Sequence, residues 1–183
     1  MDIKPQVLRV LKKPLLKRWF ALLAQSVEQL ICLTNLFIIM VEKKQKGNLT
    51  ELQCISAFYE MGYSVSIPYG ENNRYDFIAD VEGHLIRVQV KTSSTKDDGR
   101  TYLFSCRSSR TNGKRTINKR YTKYEIDYFA TFINGKCYIV PVEECSTTKC
   151  LRFVESYNNQ QEYVNFEENY RIERQIELYL NKH

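Results

Sequence analysis

Residues 75–91 read YDFIADVEGHLIRVQVK, two alternating apolar runs joined by the pair Glu82-Gly83. A tight turn at that pair predicts one strand from Tyr75 to Val81 and a second from Leu85 to Lys91, folded back on each other. Side chains two apart in a strand share a face, so Ile86, Val88 and Val90 point into a core while Arg87, Gln89 and Lys91 point the other way. A half-exposed edge strand would explain that second face as ordinary polar surface. Asp76 adds a different possibility, because the turn brings Asp76, Gln89 and Lys91 to one end of the hairpin.

Upstream, Asn48 is placed to cap a helix whose third residue is Glu51 and whose pattern stops at Gly62. Spacing at 100° per residue puts Glu51, Ile55, Phe58 and Gly62 on one stripe, flanked by Leu52, Tyr59 and Cys54, so Glu51 points inward. Tyr63, Val65 and Ile67 then alternate before a turn-rich stretch from Tyr69 to Asn73. Downstream, a loop from Ser93 to Arg100 leads to a short strand, Tyr102 to Cys106. Ile126 to Ile133 and Cys137 to Val142 flank Asn134-Gly135, a type I′ hairpin signal, and Glu167 to Leu180 carries Ile172, Ile176 and Tyr179 or Leu180 on one side of a helix.

Between these elements, Arg107 to Lys123 holds Arg107, Arg110, Lys114, Arg115, Lys119, Arg120 and Lys123 with no acid among them. The whole chain carries a formal charge of +6, which favours a polyanionic partner. Its 183 residues allow one ordinary domain and an appendage, with 43% hydrophobic residues to build a core. Two histidines, His84 and His183, are too few for His-rich zinc sites, Ser-His-Asp triads or HNH-type nuclease motifs. Six cysteines without CxxC spacing read as reduced thiols of a cytoplasmic protein.

The first forty-odd residues differ from the rest. A basic stretch from Lys4 to Arg18 precedes an apolar run interrupted by Gln25, Glu28, Gln29 and Asn35. The uninterrupted patches are too short for a bilayer, which needs about 20 mostly apolar residues, and no small-residue cleavage site follows, so no membrane association is expected. The expected division is an N-terminal appendage over residues 1–46 and a catalytic domain over residues 47–183.

At the end of the central hairpin, two carboxylates, an amide and an ammonium converge if Glu51 joins Asp76, Gln89 and Lys91. Each has an ordinary explanation alone: a capping-box partner, a strand-entry residue, a hydrogen-bonded strand amide. Together they suit metal-assisted phosphodiester hydrolysis. Hard oxygen ligands bind Mg²⁺, which lowers the pKa of a bound water and neutralises phosphate charge, while a lysine orients the water.

Helical Glu51, Tyr75-Asp76 after a turn and Gln89-Val90-Lys91 on the next strand resemble the PD-(D/E)XK nuclease superfamily, with Tyr75 in place of the usual proline and Gln89 in place of the second acid. The run GNLTELQCISAFYEMGYSVSIPYGENNRYDFIADVEGHLIRVQVKTSS, with IDYFATFINGKCYIVPVEE after it, is similar more narrowly to the intron-encoded PD-(D/E)XK homing endonucleases, where glutamine before the Val-Lys pair also occurs. The resemblance spans about Gly47 to Phe153. It implies an α/β fold with a restriction-endonuclease-like core, a mixed sheet flanked by helices, and a C-terminal helix. It implies that Asp76 and Glu51 bind metal with the Val90 backbone carbonyl, that Lys91 assists the attacking water and that Gln89 holds a ligand or water position. Mg²⁺ is the expected ion, with Mn²⁺ as an alternative, and double-stranded DNA is the expected partner, contacted at phosphate by Arg107, Arg110, Lys114, Arg115, Lys119 and Arg120.

The string ALLAQSVEQLIC, Ala21 to Cys32, resembles a conceptual translation of the 5′ half of a tRNA gene. A reading frame entering a group I intron from a tRNA exon would produce it, with the working protein starting near Met40; a chance amphipathic helix is the competing explanation. The expected function is therefore a site-specific homing endonuclease acting on an intronless tRNA gene as a homo-oligomer, a tetramer in preference to a dimer. A Holliday junction resolvase or restriction-type nuclease on the same core, and a catalytically silent DNA-binding protein, are the rivals.

Overall fold

The computed structural model describes residues 4–70, 72–96, 99–113, 115–154 and 164–182, with the side chains of residues 4–17, 19, 20 and 110–112 outside the description. A first helix, α1 (Lys4–Glu60), runs through the position where a helix start was expected. Asn48 therefore caps nothing, and Glu51 is not the partner in a capping box. The preceding residues are mostly good helix formers, and a single glycine such as Gly47 costs only about 1 kcal/mol in a helix, so propagation continues through it. Thr50 lies buried there, its Oγ1 donating to the Lys46 carbonyl at 2.8 Å.

Two compact units divide the chain, residues 1–45 and 46–183. In the first, every described side chain from residue 21 onward is exposed. The helical stretch Ala21–Glu60 contains an 18-residue window of mean hydropathy 1.6, long and apolar enough to cross a membrane by length and composition alone. The uninterrupted apolar patches within it are short, and the window reaches this value because averaging absorbs isolated polar residues like Gln25.

In the second unit, strands β1 (Ser64–Ser66), β2 (Phe77–Val81) and β3 (His84–Val90) form the antiparallel meander expected from sequence. Glu82 and Gly83 have φ of 53° and 89°, the left-handed pair that a type I′ turn requires. The predicted loop after Lys91 contains a short strand, β4 (Ser94–Lys96), which pairs with β5 (Thr101–Ser105). The basic stretch forms a two-stranded ribbon, β6 (Arg107–Asn112) and β7 (Arg115–Arg120). Strands β8 (Tyr128–Ile133) and β9 (Lys136–Pro141) make the Asn134-Gly135 hairpin, and β10 (Thr148–Arg152) joins β5. The predicted last helix is divided: a 3₁₀ turn over Glu167–Tyr170 precedes α2 (Ile172–Leu180), because Arg171 between them is extended and bridges to Tyr138.

The main sheet has the order β1-β2-β3-β8-β9, with β3 and β8 parallel and the other pairs antiparallel. The fold is thus mixed α/β, and β3 is a central strand rather than an edge. On one face, Phe77, Ile86 and Val88 pack with Cys54 and Phe58 of α1 and Ile172 and Ile176 of α2. On the other, Phe129 and Val140 pack with Phe104, Ile126, Leu151 and Tyr170. Covering both faces buries Gln89 of β3, whose amide then needs partners.

Candidate active site

Asp76 sits just ahead of β2 and extends its pairing with β3 by one step, its N–H donating to the Val88 carbonyl at 2.8 Å. The Val90 N–H, next in line on β3, is met by the Asp76 carboxylate: Oδ2 accepts from Val90 N at 2.6 Å and from Gln89 Nε2 at 2.5 Å. Gln89, only 8% exposed, also donates through Nε2 to the Val90 carbonyl at 3.2 Å. Lys91 continues the parallel ladder, its N–H donating to Ala130 O at 2.8 Å, and its ammonium stands 3.3 Å from the Tyr121 hydroxyl. Local strand geometry therefore brings Asp76, Gln89, Val90 and Lys91 to one place.

Glu51, on α1, lies within reach of the Asp76 charge. Burial raises the Glu51 pKa, and the Asp76 charge raises it further. Burial also raises the Asp76 pKa, opposed by the Val90 N–H, the Lys91 ammonium and the Gln89 amide. For Lys91 burial lowers the pKa, with Asp76 opposing and the nearby Arg74 adding to the fall. Two carboxylates that burial pushes toward protonation, Glu51 also by the Asp76 charge, form an electrostatic environment suited to a cation.

Among the described residues, no three His, Cys, Asp or Glu side chains gather closely enough to hold a metal ion by themselves. A cation at this site would draw on Asp76, Glu51, the Val90 carbonyl and water. That donor set is all oxygen, as Mg²⁺ prefers, and a magnesium ion usually keeps several of its waters. The hydrogen bonds that the Asp76 carboxylate accepts among the described residues fall on Oδ2, leaving Oδ1 available to a ligand.

Two residues outside the sequence-derived set belong to the site. The Tyr121 hydroxyl donates to Gln89 Oε1 at 3.2 Å and accepts from Lys91, and the Arg74 guanidinium lies 3.9 Å from the centre of the Tyr121 ring. Burial raises the Tyr121 pKa, with Arg74 opposing. Tyr121 lies near the end of the basic stretch and Arg74 just after a turn, and neither position carries a pattern that marks it.

The basic residues do not form a single exposed cluster. Arg115 and Arg120 are exposed on β7, whereas Arg107 is half-buried with an Nε that has no hydrogen-bond partner. Lys119 pairs with Glu125 at 2.7 Å, an acid just beyond the stretch that offsets part of its charge. The Arg110 side chain and Lys114 lie outside the described residues.

The family model of the PD-(D/E)XK endonuclease matches residues 41–173. The chain is also similar to the solved structure of a bacterial homing endonuclease, I-Ssp6803I, at 26% sequence identity and a TM-score of 0.62, covering 76% of this chain and 95% of that one. No curated protein matches it.

Proposed function

The chain belongs to the PD-(D/E)XK endonuclease family, and from that premise we propose that it is a site-specific, Mg²⁺-dependent homing endonuclease for double-stranded DNA, encoded in a group I intron and cleaving an intronless tRNA gene. The observation that carries this reading is the meeting of Asp76, Gln89 and Lys91 at the end of the β2–β3 hairpin, beside the charge of Glu51. Its likeness to a bacterial homing endonuclease supports the homing assignment.

Asp76, Glu51 and the Val90 carbonyl would hold the cation, with Mn²⁺ as an alternative to Mg²⁺. When bound, the ion supplies a more acidic water and neutralises charge on the phosphate. Lys91 directs its ammonium at the attacking water and the developing negative charge. Gln89 cannot supply the carboxylate of the usual second acid; it holds Asp76 in place through its amide N–H instead. Partial burial of the hairpin end lowers the local dielectric and strengthens each of these interactions.

The β6–β7 ribbon is the proposed DNA contact, since a two-stranded ribbon fits the major groove and Arg107, Arg115 and Arg120 can reach phosphates. Residues 1–39 are proposed to be read-through from a tRNA exon, ahead of an endonuclease domain over residues 47–183. A core of about 110 residues contacts too little duplex to single out one site among roughly 10⁶ to 10⁹ competitors, so a homo-oligomer is proposed, a tetramer in preference to a dimer. All six cysteines are free thiols, in keeping with a cytoplasmic location.

The test is cleavage of a plasmid bearing an intronless tRNA gene, with and without Mg²⁺. Double-strand cleavage at one site, only with the ion, is the expected result. Binding without cleavage would identify a silent DNA-binding protein, and cleavage only of branched DNA would identify a junction resolvase.

A further inference from the structure

We infer that Tyr121, held in place by Arg74, is a positioning residue that sets Lys91 and Gln89 and connects them to the root of the basic ribbon. The inference rests on the reading that Lys91 and Gln89 serve the chemistry. A tyrosine hydroxyl has one hydrogen to donate and lone pairs to accept with. Here the hydrogen goes to Gln89 Oε1 at 3.2 Å, and Lys91 Nζ donates to the tyrosine oxygen itself at 3.3 Å. One atom thus fixes both residues. It turns the Gln89 amide so that Nε2 faces Asp76 and Val90, and it tethers an ammonium on a flexible four-carbon stem.

The ring itself is clamped. Phe129 meets it edge-on, with centroids 5.3 Å apart at 86°, and the Arg74 guanidinium stacks on it at 3.9 Å. Each nitrogen of that guanidinium is committed elsewhere: Nε donates to Glu125 at 3.1 Å, Nη1 to Ser108 Oγ on β6 at 2.7 Å, and Nη2 to the Arg120 carbonyl on β7 at 3.1 Å. The group that closes the base of the ribbon is therefore the group that presses on the tyrosine. Seating the ribbon on DNA would be felt at Lys91 through two contacts, from Arg74 to the Tyr121 ring and from its hydroxyl to the ammonium.

Tyr121→Phe removes the hydroxyl and keeps the ring, so packing and positioning make different predictions. The full chain is assayed on supercoiled plasmid bearing an intronless tRNA gene, under single-turnover conditions with saturating protein and Mg²⁺, beside the parent and Lys91→Ala. A parent that does not cleave, or a Lys91→Ala variant as fast as the parent, overturns the active-site reading itself. With a cleaving parent and a silent Lys91→Ala, Tyr121→Phe is expected to slow cleavage by about 10- to 100-fold, at unchanged plasmid affinity and melting temperature. A rate within about twofold of the parent, or a loss matched by weaker binding or lower stability, overturns the inference. Arg74→Gln should slow the parent but add little in the Tyr121→Phe background, because it acts through the same hydroxyl; losses that multiply would overturn the part assigned to Arg74.

Discussion

In α1, Leu30, Leu33 and Phe37 are 66%, 63% and 67% exposed, while on β3 Gln89 is 8% exposed and held by Asp76, Val90 and Tyr121. The apolar segment contributes no burial of these side chains, and the polar one occupies space that a hydrophobic residue would fill at lower cost. Burial here follows what surrounds an element rather than what it is made of. Exposed leucines need no explanation singly, but a desolvated lysine beside a desolvated aspartate costs stability that only hydrogen bonds and a functional demand offset. The contrast supports the proposed placement of the chemistry at the end of the β2–β3 hairpin rather than in residues 21–45.

Changes on the two sides of this contrast should differ in size. The largest effect is expected from Asp76→Asn, which removes a ligand charge: cleavage should fall about 10²- to 10³-fold and the Mg²⁺ titration should move to higher concentration. Unchanged titration curves would place the cation elsewhere. Next, Phe58→Ala should cost about 3–5 kcal/mol in urea unfolding, whereas Leu30→Ala should stay within about 0.5 kcal/mol. Equal losses would mean that the exposed helix is covered by a partner in solution. Arg115→Ala on the ribbon should weaken DNA binding and lower the slope of log K against log salt by about 1, leaving the rate at saturation unchanged. An unaltered slope would remove Arg115 from the phosphate contacts. The smallest effect belongs to a chain beginning at Met40, expected to melt and cleave as the full-length protein does; insolubility of that chain would show that the apolar segment packs on the core.

Short-range chemistry was legible in the sequence. Glu82-Gly83 and Asn134-Gly135 announce their hairpins because two residues with positive φ suffice to turn the chain. Asp76, Gln89 and Lys91 could be grouped because one turn controls their separation. Long-range pairing was not legible. The parallel register of Gln89 with Phe129 makes β3 central, and it depends on a crossover through two further sheets. Tyr121 lies 30 residues beyond Lys91 and Arg74 lies 34 residues ahead of Ser108, so packing alone brings them together. The ribbon was hidden for a different reason: Arg107-Ser108-Ser109 and Asn118-Lys119-Arg120 have no apolar alternation to signal a strand. The cap at Asn48 failed because a capping residue starts a helix only where the preceding chain leaves it.

The most direct test of the central claim is Lys91→Ala, compared with the parent for both single-turnover cleavage and plasmid binding. Cleavage is expected to disappear while the dissociation constant stays nearly the same, since the ammonium is held by Tyr121 inside the site and is proposed to serve the reacting water rather than the anchoring of the duplex. A variant that cleaves at the parental rate, or one that loses cleavage only in proportion to lost binding, would contradict it.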